Sequence, residues 1–295
     1  MRILIITQSN EPTASALRFA SQIVSRAGEP ATILTVIEHE RQRPQAGETL
    51  ARGHQILGVE NTQTKVRVGK QAQEIILEAE GGSYNLIIAG DKLNHPKGTS
   101  FFANPAFWLV EHAPCPVVIV KDAVEPIRHI LLCDSGAKSP SELSFFTAQL
   151  VELLEAEEEV AVLHVMSQMS AGPGVRGKQL RAHAEELIKE HTHEGEILKQ
   201  DMRILKSSGV RARPKVRHGQ VVDEILNEIK SGNYNLLVIG AQQKRGWRGL
   251  LLDDLAKKIL RKVDIPVLVV KQVLDKPDHE RSGSPGVGIK EVKKK

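Results

Sequence analysis

Aromatic residues are scarce in this chain of 295 residues, at 3% of the total, and long apolar runs are missing. No segment approaches the length of about 18 apolar residues that a membrane-spanning helix needs. We therefore expect no membrane insertion, and cores built from leucine, isoleucine, valine and alanine. The opening residues MRILIITQ lack a small-residue cleavage site, so they are typical of a first strand and not of a signal peptide.

Neither sign of charge predominates, because the formal net charge is only +4. Much of that excess falls in residues 275–295, which are polar, rich in Gly, Pro and Lys, and predicted to be a disordered basic tail. This balance does not favour a nucleic-acid partner. The two cysteines, Cys115 and Cys133, predict reduced thiols in a cytoplasmic protein.

An internal repeat is the clearest pattern that is present. Residues 69–90 match residues 219–240 at a constant offset of 150, including the shared letters G, EI, YNL and G. The same offset places PVVIVK (116–121) on PVLVVK (266–271). At the front the offset is about 127, which leaves an insertion in the second copy, assigned to residues 167–210. The pattern predicts a tandem duplication.

Each copy alternates short apolar segments with helical periodicity. The segments are rich in β-branched residues, which favours strands buried on both faces of a parallel sheet; in the first copy they cover 3–7, 31–37, 84–90 and 115–121. Apolar residues at helical spacing from Ala16 to Ala27 predict a helix that ends at Gly28. The fold class predicted is α/β, with two tandem, doubly wound, Rossmann-like domains that each have a five-stranded, mostly parallel sheet.

These residues resemble the universal stress protein family. The resemblance rests on LLCDSG (131–136), on HGQVVDEILNEIKSGNYNLLVIG (218–240) and on IPVLVVK (265–271), with counterparts in the first copy. It implies a first domain over 1–122 and a second over 126–272. It also implies a pseudo-dimer formed through the last strand of each domain. Because a free hydrophobic strand edge attracts a partner, we further expect a homo-oligomer through these strands.

The resemblance implies where a nucleotide would bind in the second copy. Family members that bind ATP use an aspartate after the first strand, a valine after the second, and a G-x-x-G-x9-G-[S/T] segment whose backbone N–H groups hold phosphates. The corresponding positions, all candidate cofactor-binding residues here, are Asp134, Val165, Gly240, Gln243, Asp253 and Asp254. Two carboxylates thus stand where phosphates would sit, and Asp254 is a candidate N-cap, which disfavours a triphosphate. The alternative that Asp134 and Gly240 form a pocket for AMP or ATP is not excluded by these residues.

The first copy departs further from the family segment. Gln8 stands in place of the first-strand aspartate, Leu93 and Ala103 replace glycines, and Asn104 replaces the Ser/Thr. Asn104 followed by Pro105 predicts a helix that caps itself. We expect this copy to hold no nucleotide.

Three other sequence patterns are weaker indications of a functional site. The loop 172–178 is close to a phosphate-binding loop, but Gln179 stands where a magnesium-binding Ser or Thr belongs, so a hinge is the favoured interpretation. The basic loop 243–249 is typical of a solvated surface. The histidines between 183 and 193 are spaced too widely along a helix for one metal ion. No catalytic set of residues emerges.

The favoured hypothesis is a cytoplasmic stress-response protein that acts as a non-catalytic binding or interaction module, with no bound cofactor. One alternative is a regulatory switch that binds ATP or AMP in the second copy and hydrolyses it slowly. Another is a regulatory subunit docked on a membrane transporter or complex.

Overall fold

The computed structural model describes residues 1–8, 14–91, 105–121, 124–134, 140–154, 159–166, 183–242, 244–246, 249–251 and 254–272. The basic tail and the glycine-rich loop 172–178 lie outside these ranges. The described chain forms one ten-stranded sheet with the strand order β3-β2-β1-β4-β5-β12-β9-β6-β7-β8, and a separate hairpin of β10 and β11. We refer to the elements from β1 to β5 as the first half and to those from β6 to β12 as the second half.

Short parallel strands alternate with helices in both halves, as the sequence predicts. The strands are β1 (Ile3–Thr7), β2 (Ala31–Ile37), β3 (Thr62–Val68), β4 (Leu86–Gly90), β5 (Val117–Val120), β6 (His129–Cys133), β7 (Glu159–Met166), β8 (Arg211–His218), β9 (Leu236–Gln242), β10 (Lys244–Gly246), β11 (Gly249–Leu251) and β12 (Val267–Gln272). The helices are α1 (Ala14–Ser21), α2 (Arg43–Leu57), α3 (Gln71–Gly82), α4 (Pro105–His112), α5 (Pro140–Leu153), α6 (Ala184–Lys189), α7 (His193–Ser207), α8 (Val221–Ser231) and α9 (Asp254–Lys262).

The sheet is covered by helices on both faces. Successive residues of β1 point into different cores: Ile3 and Ile5 join one, Leu4 and Ile6 the other. The first core contains apolar residues of α1, α2, α5 and α7, and the second contains those of α3, α4, α8 and α9. Burial on both faces explains why the strands are continuous apolar runs without alternation. The predicted α/β, doubly wound fold class is confirmed.

The two halves join edge to edge through their last strands. β5 and β12 are antiparallel, with Val118 opposite Leu268, while every other pairing in the large sheet is parallel. The strand order is the same when read outward from this pair in either direction. Both cores continue across the junction, because each contains residues of both halves.

Two lysines that the repeat aligns secure this junction reciprocally. Lys121 follows β5, and its Nζ donates to the carbonyl oxygen of Leu260 in α9, at 2.9 Å. Lys271 lies in β12, and its Nζ donates to the carbonyl oxygens of Glu111 and Ala113 at the end of α4. Cations favour the negative end of a helix dipole, so each half caps a helix of the other.

The predicted route to a homo-oligomer, through free edges of these strands, is corrected by this pairing, while the homo-oligomer itself stays a prediction. β5 lies between β4 and β12, and β12 lies between β5 and β9. Both edges of each strand are therefore occupied within one chain, and the apolar edge that the sequence offers for association is satisfied internally.

The first helix is shorter than the periodicity predicts. α1 ends at Ser21, and a short 3₁₀ helix, Val24–Arg26, precedes Gly28. The side chain of Gln22 explains the break, because its Nε2 donates to the carbonyl oxygen of Glu125 and its Oε1 accepts from the backbone N–H of Ile127. Contacts with the segment between the halves replace continued helix there.

The described part of the second-copy insertion contains two helices. α7 packs on the same core as α2 and has the same burial pattern, so it is the counterpart of α2 and not an addition. α6 precedes it and is additional to the repeat. Within the residues that the structure describes, none of the helices has the length and apolar content required to cross a bilayer.

Gly195 allows α6 and α7 to pack closely, and its replacement tests that contact. A Cβ at this position would lie 2.1 Å from the carbonyl oxygen of Leu187, and backbone cannot yield as a flexible side chain can. We expect Gly195→Ala to lower the free energy of unfolding by about 2 kcal/mol. Gly47→Ala is the matched control, because nothing lies within 4 Å of the new Cβ in α2, and it should be stabilising by about 1 kcal/mol. Urea denaturation compares the two; equal effects would contradict the packing.

An ion-pair network is repeated beside each outer strand. In the second half Glu228 accepts hydrogen bonds from Lys215, Arg217 and Tyr234, at 2.5, 2.6 and 2.6 Å. In the first half Glu78 accepts from residues at the same offset of 150, namely Lys65, Arg67 and Tyr84. The repeat thus preserves polar contacts as well as apolar ones.

Candidate functional site

The candidate site lies at the carboxyl ends of β6, β7 and β9, which we call the switch-point edge. β6 is flanked by β9 on one side and β7 on the other, and the three strands are parallel. The sheet is built outward in opposite directions from β6. In open α/β sheets, ligands bind at the carboxyl ends of the strands where the winding direction changes. A ligand site is therefore expected at this edge.

Strand register brings three of the predicted residues together here. Asp134 follows β6 directly, and the pairing places it beside Gly240 of β9 on one side and His164 of β7 on the other. Val165 follows His164 along β7. Asp134, Val165 and Gly240 thus share one edge of the sheet, as family likeness implies.

Asp134 is held rigidly in the interior, with only 4% of its surface exposed. Its backbone N–H donates to the carbonyl oxygen of Leu163, and its own carbonyl oxygen accepts from Nδ1 of His164, both at 3.2 Å. Since a carbonyl oxygen only accepts, Nδ1 of His164 carries a proton. Burial lowers the pKa of His164, which keeps this ring neutral.

A second carboxyl group meets Asp134 from above the sheet. Asp201 of α7 is fully buried, and its carboxyl lies within hydrogen-bonding reach of the carboxyl of Asp134. The hydroxyl of Ser144 in α5 donates to Oδ1 of Asp201 at 2.6 Å. Burial, followed by the negative charge of Asp134, raises the pKa of Asp201 to about 8. We call Asp134 and Asp201 the acid pair.

Sequence reasoning missed Asp201, although a signal was present. The apolar residues Ile197, Leu198 and Leu205 form the buried stripe of α7, and Asp201 lies on the same stripe. A charged residue at a core-facing position of an amphipathic helix is uncommon, because burial of an unpaired carboxylate is costly. Asp201 falls within residues 167–210, which the repeat assigns to an insertion outside the family positions.

The first half has a different arrangement at the equivalent edge. The strand pairings place Thr7, the last residue of β1, at the position equivalent to Asp134. The prediction that Gln8 is the equivalent residue is therefore wrong by one residue. The hydroxyl of Thr35 donates to the carbonyl oxygen of Thr7 at 3.3 Å, which repeats the contact of His164 with Asp134. The two halves share a backbone contact here but not the carboxyl group.

The phosphate side of the predicted site is only partly described. Gln243 and Asp253 lie outside the described residues. α9 begins at Asp254 itself, so this exposed carboxylate is the first helical residue, and the prediction that Asp254 is the N-cap is wrong by one residue. A carboxylate in a first turn complements the helix dipole and repels phosphate. Between Gly240 and α9, β10 pairs with β11 in antiparallel orientation, with Arg245 opposite Leu250.

In the first half, the predicted positions Leu93, Ala103 and Asn104 lie outside the described residues. α4 begins at Pro105, which confirms proline at the first helical position. The described part of the chain contains no group of three or more His, Cys, Asp or Glu side chains placed to hold a metal ion. Cys115 and Cys133 are both buried and are not joined by a disulfide in this structure, and burial raises the pKa of Cys115 to about 12.

Solved structures with the same architecture span nearly the whole chain. A universal stress protein from Archaeoglobus fulgidus DSM 4304 covers 91% of this chain and 96% of its own, with 16% identity and a TM-score of 0.65. A protein from Pseudomonas aeruginosa UCBPP-PA14, described with the same family name, covers 92% of both chains at 20% identity, with a TM-score of 0.64. These likenesses define the class: a tandem protein of doubly wound α/β domains.

Sequence comparison then shows the family to which the chain belongs. The model of the universal stress protein family matches residues 40–121 and 126–271. A universal stress protein of Methanocaldococcus jannaschii is 27% identical over 154 residues, which are 52% of this chain and 88% of that protein. The chain belongs to the universal stress protein family, and it carries the family domain twice.

Proposed function

We propose that this protein is a cytoplasmic stress-response module that acts by binding and not by catalysis, and that its second half does not hold ATP. Membership of the universal stress protein family supports the stress-response role. The observation that carries the rest is the burial of Asp134, which is 4% exposed and lies beside the fully buried Asp201 of α7. A carboxyl buried in this way is not open to a ligand.

Charge at the switch-point edge supports the same conclusion. The acid pair lies at the carboxyl end of β6, and Asp254 opens the helix whose N-terminus a phosphate would approach. A triphosphate carries several negative charges, so the carboxylate of Asp254 in the first turn of α9 opposes it. The switch-point edge has the strand order of the family, but its charges do not favour an anion as those of ATP-binding members do.

A nucleotide-binding regulator is the second candidate function. It is favoured by one observation: Asp134, Val165 and Gly240 do share one edge at the point where the sheet changes its winding direction. A mononucleotide has fewer phosphate groups than ATP, so the carboxylate of Asp254 would repel it less. For a nucleotide to reach Asp134, however, α7 would have to move.

Isothermal titration calorimetry with ATP and with AMP tests the proposal. We expect no saturable binding of ATP to the full chain at concentrations up to about 1 mM, which corresponds to about 4 kcal/mol of binding free energy. No phosphate release from ATP is expected. Asp134→Ala is the diagnostic variant, and Thr7→Ala at the equivalent position of the first half is its matched control. Micromolar affinity of the wild type that Asp134→Ala abolishes and Thr7→Ala preserves would overturn the proposal in favour of the nucleotide-binding regulator.

A further inference from the structure

The large sheet ends in two strands that the repeat makes equivalent. β3 ends it in the first half and β8 ends it in the second. The offset of 150 aligns KVR (65–67) of β3 with KVR (215–217) of β8. An end strand presents backbone N–H and C=O groups along its outer edge, and such an edge attracts a further strand. The two strands differ in how this edge is protected.

The outer edge of β8 is protected in two ways. Pro214 lies in the middle of the strand, and proline has no N–H to offer to a further strand. α6, the helix that is additional to the repeat, lies against the same strand. Val216 of β8 packs against Leu187 of α6, and His183 and Glu185 line a groove together with Pro214.

The outer edge of β3 has neither protection. Thr64 is exposed and stands where β8 has proline. The backbone N–H of Gly69 donates to the carbonyl oxygen of Ile37 in β2, at 2.9 Å. Successive residues of a strand direct their backbone groups to opposite edges, so those of Thr64 and Val66 point away from β2. Residues 38–61, between β2 and β3, are described throughout and contain no counterpart of α6.

Charge does not protect the edge of β3 either. Lysines on an end strand commonly keep other strands away. Here both cations are neutralised from α3, because Lys65 donates to Glu78 at 2.5 Å and Arg67 donates to Glu74 at 2.7 Å. A further strand is therefore opposed only if its own cations lie directly opposite these two side chains.

The helix beside β3 also carries an exposed apolar side chain. Leu77 of α3 is 51% exposed. It follows Glu74, which bonds to β3, by three residues, and residues at this spacing are neighbours on a helix surface. The equivalent position in the second half is Asn227. The first half thus places an apolar side chain near its open strand edge, where the second half has a polar one.

We propose that β3 is an interface for a second copy of this chain, in which two β3 strands pair in antiparallel orientation about a twofold axis at Thr64 and unite two ten-stranded sheets. In this register Thr62 lies opposite Val66 of the second copy, and Gln63 lies opposite Lys65. β-branched residues thus face each other, and an amide faces a cation. The chain joins its own halves in the same manner, through antiparallel β5 and β12.

A second copy is the occupant that the strand itself fits, because a twofold contact requires a surface that complements itself. The position of the axis follows from charge. An axis at Lys65 would place this lysine opposite itself, and one at Val66 would place it opposite Arg67. An axis closer to the start of β3 would shorten the pairing. The inference goes beyond the proposed function and does not depend on whether the switch-point edge binds a nucleotide.

Thr64→Pro copies the proline of β8 to the equivalent position of β3 and tests the pairing. The N–H that it removes points away from β2, so the fold should tolerate proline here as β8 does. Sedimentation velocity should show the wild type at twice the chain mass of 32.5 kDa. Loss of the two hydrogen bonds that Thr64 exchanges across the axis should raise the dissociation constant of the dimer about thirtyfold. Thr64→Ala retains the N–H and is the matched control, which should stay dimeric.

Thr64→Lys keeps the test decisive if the proline variant does not fold. It leaves the backbone intact and places two lysines opposite each other at the axis, so the dimer should dissociate. Hydrogen exchange locates the contact: the amide of Val66 should be protected in the wild type and should exchange faster in Thr64→Lys.

Three outcomes would overturn the proposal. One is a monomeric wild type at micromolar concentration with a rapidly exchanging Val66 amide. Another is a monomeric wild type in which the Val66 amide is protected, which would identify a segment of the same chain as the occupant of the edge. The third is a dimer that persists in Thr64→Lys, which would place the interface elsewhere.

Discussion

Replacing Glu228 with alanine is expected to lower the free energy of unfolding by about 3 kcal/mol. Glu228 is buried, with 2% of its surface exposed, and it accepts hydrogen bonds from three side chains. Its removal leaves Lys215, Arg217 and Tyr234 without their common acceptor. The expected loss is at the lower end for a buried ion pair, because the lysine and arginine side chains are 31% and 29% exposed and can turn to water.

The matched control is Glu78→Ala, which removes the same acceptor from the first half. Lys65 and Arg67 are more exposed than their counterparts, at 39% and 33%, so we expect a smaller loss of about 2 kcal/mol. Denaturation in guanidinium chloride measures both variants. A loss below about 0.5 kcal/mol at Glu228, the range of an ordinary surface substitution, would contradict the assigned network.

Acid should remove the same stabilisation. Burial opposes ionisation of Glu228, but hydrogen bonds from Lys215, Tyr234 and Arg217 outweigh burial and lower the pKa of Glu228 to about 2. The stabilisation is therefore present above the ordinary pKa of 4.5 and is lost as pH falls through about 2. The difference between the wild type and Glu228→Ala should narrow across that interval.

Leu268→Ala is the second substitution with a large expected effect, about 3 kcal/mol. Leu268 is fully buried in β12, opposite Val118 of the first half and beside Val238 of the second. A cavity here opens in a core that both halves share. Phe145→Ala is a suitable control, because this side chain is 54% exposed and should change stability by less than about 0.5 kcal/mol.

The shape of the transition matters as much as its midpoint. Because the junction unites the sheet and both cores, wild type and Leu268→Ala should each unfold in one transition, with tryptophan fluorescence and far-ultraviolet circular dichroism coincident. Two separated transitions, with Leu268→Ala shifting only one of them, would contradict the shared core.

Much of the fold was accessible from the sequence because the repeat and the strand composition agree. The constant offset of 150 aligns β4 with β9 and β5 with β12, and their β-branched segments predict buried parallel strands. The pairing of the last strands followed from family likeness. The early end of α1 did not follow, because it depends on Gln22 bonding to residues about 100 positions away.

The candidate site was accessible only in part. Asp134, Val165 and Gly240 were found because each follows or ends a recognisable strand. Asp201 was not, since Asp134 is distant from it in the sequence; the position of Asp201 on the apolar stripe of α7 marks it as unusual but does not identify its neighbour. The alignment of Gln8 with Asp134 is wrong by one residue, although the offset of 127 at the front of the repeat already pairs Thr7 with Asp134.

A crystal structure of the full chain grown with millimolar Mg-ATP would examine the central claim most directly. The account predicts that Asp134 stays buried beside Asp201 of α7, with no phosphate density between Gly240 and the start of α9. Density for an adenine nucleotide along this edge, with α7 displaced from the acid pair, would contradict it.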